Sequence, residues 1–206
     1  MTTATLLSHI HQFVPAADPS RPPLLLLHGT GGDEHGLLPI GQTVAPGAAL
    51  ISPRGRVLEG GMPRFFRRLA EGVFDEQDVI RRAHELADFV QAARETYGLA
   101  APIALGFSNG ANIAAAVLQL RPEALAGAVL LRAMVPLKEA PRADLKGTPV
   151  LILSGALDLI VPDENAARLA ATLGQAGAIV DHRTLPTGHN LSQADLTITK
   201  TWLEQR

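Results

Sequence analysis

The stretch Ala104-Leu105-Gly106-Phe107-Ser108-Asn109-Gly110 decides how this chain folds. An apolar run, Pro102 to Phe107, leads into it, and an alanine-rich run, Asn109 to Leu120, leads out and stops before Pro122. The first reads as a buried strand and the second as a helix. A G-x-S-x-G sequence between strand and helix puts its serine on a tight turn, in a strained backbone conformation, with the hydroxyl projecting from the sheet. Two residues before and two after that serine the backbone is so crowded that only hydrogen fits as a side chain, which accounts for Gly106 and Gly110. Ala111, Ala114, Ala115 and Ala116 then let the helix lie close to the sheet.

The same strand–loop–helix rhythm extends in both directions. Leu24 to Leu27, Ala48 to Ser52, Gly127 to Leu131, Pro149 to Leu153 and Ile179 to Leu185 are short runs that read as strands, bounded by Gly and Pro. Asp75 to Tyr97 is the clearest helix, with Asp75 as N-cap, Val79, Ala83, Leu86, Val90 and Ala93 on one face, and Gly98 as the stop. Asp163 to Leu173, capped by Asp163, and Leu191 to Leu203 are further helices, and Ser8 to Val14 reads as an antiparallel edge strand. Strands alternating with helices imply crossover connections and a mostly parallel central sheet with helices on both faces. Ligands in such sheets bind beyond the carboxyl ends of the strands.

The 206 residues fit one domain, residues 1–206, and 47% are apolar, which excludes a disordered chain. A formal net charge of −2 and no long basic run give no footprint for nucleic acid. No cysteine is present, so disulfides, thiolate metal sites and a cysteine nucleophile are excluded. The first residues lack the pattern of a signal peptide and no apolar stretch is long enough for a membrane span, which makes a cytoplasmic protein the expectation.

A nucleophilic serine needs a base, and the base needs an orienting carboxylate. Two histidines follow Ser108. His189 lies in Pro186-Thr187-Gly188-His189-Asn190, between a strand and a helix, and is the expected base; His182 falls within a strand and reads as a surface side chain. Of the later carboxylates, Asp158 stands past the end of the strand Pro149 to Leu153, with Val161-Pro162 closing its loop, whereas Asp195 lies inside a helix. The order serine, acid, histidine then holds. Leu24 to Leu27 runs into His28-Gly29-Thr30-Gly31-Gly32-Asp33, whose glycines let N–H groups turn towards a ligand. The Thr30 and Asn109 N–H groups are the expected oxyanion hole. The loop lacks the lysine of a phosphate loop and the spacing of a dinucleotide site. His28 reads as structural beneath the loop. His9-x-His11 has no third ligand nearby and reads as edge-strand surface, leaving no metal site.

Taken together, LLLLHGTGGDE, GFSNG, LSGALDLIVP and TGHNL resemble the phospholipase/carboxylesterase family of small α/β-hydrolases, which includes the acyl-protein thioesterases. Ile51-Ser52-Pro53-Arg54-Gly55 and Gly61-Met62-Pro63-Arg64-Phe65-Phe66 look more like the bacterial carboxylesterases connected with hydroquinone or catechol resistance. The resemblance covers nearly the whole chain from about Leu24. It implies an α/β-hydrolase fold without a large cap domain, a triad of Ser108, Asp158 and His189, no cofactor, small carboxylic esters as substrates, and dimers in several members. Thr30 departs from the apolar residue usual after His-Gly in the thioesterase-like members. Leu58 to Phe74 is the only candidate for a lid, and Gly31, Phe65, Phe66 and Val161 are candidate substrate contacts. The competing readings are an acyl-thioesterase or lysophospholipase-like hydrolase, and a non-catalytic ligand-binding scaffold, which an intact triad disfavours.

Overall fold

The computed structural model describes residues 7–139, 141 and 143–206. In chain order its elements are β1 (His11–Val14), β2 (Leu24–Leu27), α1 (Leu38–Val44), β3 (Leu50–Pro53), the hairpin β4 (Val57–Glu59) and β5 (Met62–Arg64), and the hairpin β6 (Arg68–Ala70) and β7 (Val73–Phe74). There follow α2 (Glu76–Tyr97), β8 (Ile103–Phe107), α3 (Asn109–Leu120), β9 (Gly127–Leu131), β10 (Pro149–Gly155), α4 (Asp163–Gln175), β11 (Ile179–Leu185) and α5 (Gln193–Leu203). Seven strands form one sheet in the order β1-β3-β2-β8-β9-β10-β11. Every pairing is parallel except that of the edge strand β1 with β3. Both faces are covered. Leu25 and Leu27 pack with α2 and α3 on one side, while Leu24 and Leu26 pack on the other against the side carrying α1 and α5. All four leucines are fully buried, and burial of each such side chain stabilises the fold by about 2 kcal/mol.

Local chemistry sets the helix ends. The Asp75 carboxylate accepts from the Asp78 N–H at 3.2 Å, and Gly98 closes α2 with a φ of 67° that favours glycine. The expected cap of α4 is displaced by one residue: Pro162, extended at φ −61° and ψ 139°, occupies the N-cap and no side chain caps the helix. Asp163 is instead the first helical residue and accepts from the Thr184 hydroxyl at 3.1 Å. The N-terminus of α5 is closed by Ser192 and Asp195 in a reciprocal capping box.

Two expectations about histidines are corrected by packing. His9 is buried rather than on the surface, with its ring 4.8 Å from that of Phe89. His11 shares a hydrogen bond of 2.7 Å with the Tyr97 hydroxyl. The segment proposed as a lid consists of the two hairpins β4–β5 and β6–β7, and the described residues build no large cap domain on the sheet. Among the described residues, no helix is long and apolar enough to cross a membrane.

Burial, joined by the nearby Arg56, lowers the pKa of His9 from 6.5 to about 4, against the opposing pull of Glu85. The unfolded chain therefore takes up a proton that the folded chain refuses. Stability is fully present above pH 6.5 and is lost as pH falls towards 4, by at most about 3 kcal/mol from this group. Urea unfolding between pH 7 and 4.5 is expected to show that loss in the wild type and a smaller one in His9→Phe. Equal slopes in the two proteins contradict this assignment.

Candidate active site

The turn between β8 and α3 has the geometry its glycines demand. Ser108 adopts φ 52° and ψ −114°, a conformation that is costly for a residue with a side chain and is retained where the surroundings impose it. Its N–H donates to the Leu131 carbonyl at 2.8 Å, and its carbonyl accepts from the Asn112 N–H at 2.9 Å. A Cβ on Gly106 would lie 2.5 Å from the Gly110 oxygen, and one on Gly110 would lie 2.0 Å from the Leu27 oxygen. Neither approach is tolerable.

Two loops beyond the sheet meet at this serine. The Ser108 hydroxyl lies 3.0 Å from His189 Nε2, and His189 Nδ1 lies 2.8 Å from Asp158 Oδ2. Asp158 is fully buried at its side chain while His189 keeps about 20% exposure. The second carboxylate oxygen accepts from the Ile160 and Val161 N–H groups at 2.8 and 3.0 Å. Burial pushes the Asp158 pKa up, but the bonds from Val161, His189 and Ile160 together outweigh it and hold the group below its ordinary value. An ionised carboxylate only accepts, so Nδ1 carries the proton and Nε2 turns its lone pair to the serine. Gly155 makes the approach of the two loops feasible, since a Cβ there would lie 2.5 Å from the Thr187 oxygen and 2.6 Å from that of Gly188.

The loop after β2 brings Thr30 to the same cleft as Ser108. His28 donates from Nδ1 to the Gly29 carbonyl at 2.7 Å and accepts at Nε2 from the Gly55 N–H at 2.9 Å, a structural arrangement. The residues around β5 hold both candidate oxyanion residues. Arg64 donates to the Thr30 hydroxyl at 2.8 Å, and the Phe65 N–H donates to Asn109 Oδ1 at 2.7 Å. The Pro63 carbonyl accepts from the Gly31 N–H at 2.9 Å.

A cleft of about 40 Å³ opens over Ser108, with Thr30 and Asn109 in its wall. Phe74, Met134, Ile160 and Val161 give it an apolar side, and Arg64, Arg68, Glu71 and Asn112 a polar one. Three expected substrate contacts are not in this wall. Phe65 and Phe66 are buried beneath it, Phe65 against the His28 ring at 4.7 Å and Phe66 edge-on to Phe74 at 5.0 Å. Gly31 has its N–H taken by Pro63. The aromatic wall is Phe74, which the sequence reading assigned only to the end of the lid segment. Arg64, Met134 and Asn112 were also missed; the one available signal was a charged residue set between Pro63 and Phe65. His182, expected at the surface, is half-buried and shares a 2.8 Å hydrogen bond with the Ser154 hydroxyl.

A mostly parallel sheet, a serine on a strained strand-to-helix turn and a carboxylate–imidazole pair beside it define an α/β-hydrolase. The chain belongs to the phospholipase/carboxylesterase family, whose model matches residues 9–206. It is 44% identical over 184 residues to MhqD of Bacillus subtilis (strain 168), named as a hydrolase, covering 88% of this chain and 92% of the relative. The structure of a Bacillus cereus carboxylesterase superposes with a TM-score of 0.94 at 44% identity, covering 96% of this chain and 94% of that one. A carboxylesterase from Mesorhizobium loti superposes at 0.92 with 34% identity, covering 98% and 97% of the two chains.

Gly155→Ala tests the meeting of the loops. Its methyl group is expected to force residues 187–188 away, destabilising the fold by about 1–3 kcal/mol and lowering turnover through a longer His189–Ser108 separation. Urea unfolding and steady-state kinetics measure both. Wild-type stability and turnover in this variant would show that the loops do not lie this close.

Proposed function

We propose that the protein is a serine carboxylesterase acting on small or short-acyl carboxylic esters through an acyl-enzyme on Ser108. The observation that carries this reading is the continuous chain Ser108–His189–Asp158, with the hydroxyl 3.0 Å from Nε2 and Nδ1 2.8 Å from the carboxylate. Ser108 Oγ attacks the ester carbonyl as His189 Nε2 takes its proton. Asp158 stays ionised and stabilises the imidazolium. The N–H groups of Thr30 and Asn109 receive the oxyanion, each donor contributing roughly 3 kcal/mol of transition-state stabilisation. Collapse of the tetrahedral intermediate breaks the bond to the alcohol oxygen, which leaves with the proton from His189. Water then enters, loses a proton to the same nitrogen and releases the carboxylic acid, regenerating the serine. We also take residues 1–206 as one catalytic domain.

The cleft favours a short acyl group over the long chain of a thioesterase or lysophospholipase reading. A long chain in it would lie against Arg64, Arg68 and Glu71. Arg68 is paired with Glu59 and Glu71, and Arg64 with Glu59 and Thr30, and taking such charges out of water against a hydrocarbon chain is costly even when they are paired. Thr30, held by Arg64, adds a hydroxyl where an acyl tunnel would call for an apolar side chain.

A fluorophosphonate probe is expected to label the wild type and not Ser108→Ala. Turnover of p-nitrophenyl esters is expected to fall steadily from acetate to octanoate. His189→Ala is expected to lose on the order of 10⁴ or more in kcat while remaining folded. Normal hydrolysis by His189→Ala would end the triad reading, and a preference for octanoyl esters or thioesters would select the rival substrate class.

A further inference from the structure

Arg132 is a fully buried cation with no part in the relay. It follows β9 directly and has a φ of 57°, one of two non-glycine residues with positive φ among those described, the other being Ser108. Such a conformation costs an arginine about 1–2 kcal/mol and persists where other contacts over-determine it. Its N–H donates to the Leu153 carbonyl at 2.9 Å, which pins the end of β9 to β10.

The guanidinium gathers the loop that carries the histidine. Nε donates to the Gly188 carbonyl at 2.9 Å, and Nη2 donates to the Thr187 hydroxyl at 3.0 Å and to the Asn190 carbonyl at 3.3 Å. Nη1 donates to the Leu153 carbonyl at 3.1 Å. Both Nη atoms pair with the Asp195 carboxylate, at 2.8 and 2.9 Å. The acceptors thus lie on both sides of His189. Asp195, itself fully buried, also accepts from the Ser192 N–H and hydroxyl at 2.8 Å, which ties the assembly to the start of α5. Only the planar, five-donor fork of arginine serves so many acceptors from one point; the ammonium of lysine cannot. A purely structural need does not explain the arrangement, because a well-packed apolar pair is commonly as stabilising as a buried ion pair.

We propose that Arg132, held by Asp195, is the positioning residue for His189: it fixes both flanks of the imidazole so that Nε2 stays within hydrogen-bonding distance of Ser108. This rests on the reading of His189 as the base. The frame binds no substrate atom, so its loss acts on kcat and leaves KM nearly unchanged.

The test uses Arg132→Lys, which keeps the charge opposite Asp195 but cannot span Gly188 and Asn190. The expected result is a folded protein with kcat lowered about 100-fold, the usual cost of misplacing a catalytic group by about 1 Å. KM stays within threefold, and the downfield NMR resonance of the His189 Nδ1 proton broadens or vanishes. If Arg132→Lys does not fold, Thr187→Val decides. It removes one acceptor and leaves the ion pair intact, with an expected fall in kcat of several-fold and the same KM. Wild-type kcat and an unchanged resonance in the folded variant overturn the proposal. His189→Ala, assayed beside them, separates the two claims. If it is inactive while the Arg132 variant is normal, only the positioning role fails; if it is active, the triad reading fails first.

Discussion

Backbone crowding at the end of β8 is the constraint from which the site is built. Gly106 and Gly110 lie against main-chain atoms of Gly110, Ala111 and Leu27, so the chain turns from strand to helix in the shortest distance the backbone allows. That turn leaves Ser108 at positive φ, above the sheet and at the start of α3. The surrounding strands make the strain sustainable. β8 has parallel partners on both sides, β2 and β9, and the Ser108 N–H is held by the last residue of β9. Residues of the loops leaving the carboxyl ends of β2 and β10 therefore line one cleft with Ser108, and the loop after β11 brings His189 to its hydroxyl.

Each convergence is bought with a specific close contact. Gly155 lets the acid loop and the histidine loop touch, and Gly29 sits where a Cβ would strike the Phe107 ring at 2.8 Å. Two buried arginines then brace loops of the site. Arg64 reaches the loop after β2 through Thr30, and Arg132 reaches the histidine loop through three of its residues. In the proposed reaction these side chains make no bond to substrate. Under that proposal their work is preorganisation, holding donors and base where charge develops so that little rearrangement is left for the transition state.

Much of this was legible in the chain. Leu24 to Leu27 and Gly127 to Leu131 read as strands because both faces of a parallel strand are buried and the run is continuously apolar. Asp75 and Gly98 mark the ends of α2 by side-chain capping and positive φ, both local effects. Ser108, Asp158 and His189 can be picked out because their loops follow predicted strands in a fixed order, and the structure brings the three side chains together. What escaped depends on partners far apart in sequence. Arg132 and Asp195 are separated by 63 residues, and Arg64 and Thr30 by 34; no local pattern announces either pair. From the sequence Asp195 reads only as a residue inside a helix. Phe65 and Phe66 suggested a pocket by their apolar character, yet the hairpins turn them inward and leave Phe74 at the cleft. His9 reads as surface because an edge strand is exposed on one side, but the Phe89 ring packs against it.

The central claim is that Ser108 carries the acyl group between two chemical steps, and rapid acid quench during turnover of p-nitrophenyl acetate, followed by peptide mass mapping, tests it most directly. The account predicts an acetylated peptide containing Ser108, formed at the rate of the p-nitrophenol burst and lost when substrate is exhausted. Steady turnover with that peptide unmodified throughout, or with the acetyl group on another residue that turns over kinetically, would contradict it.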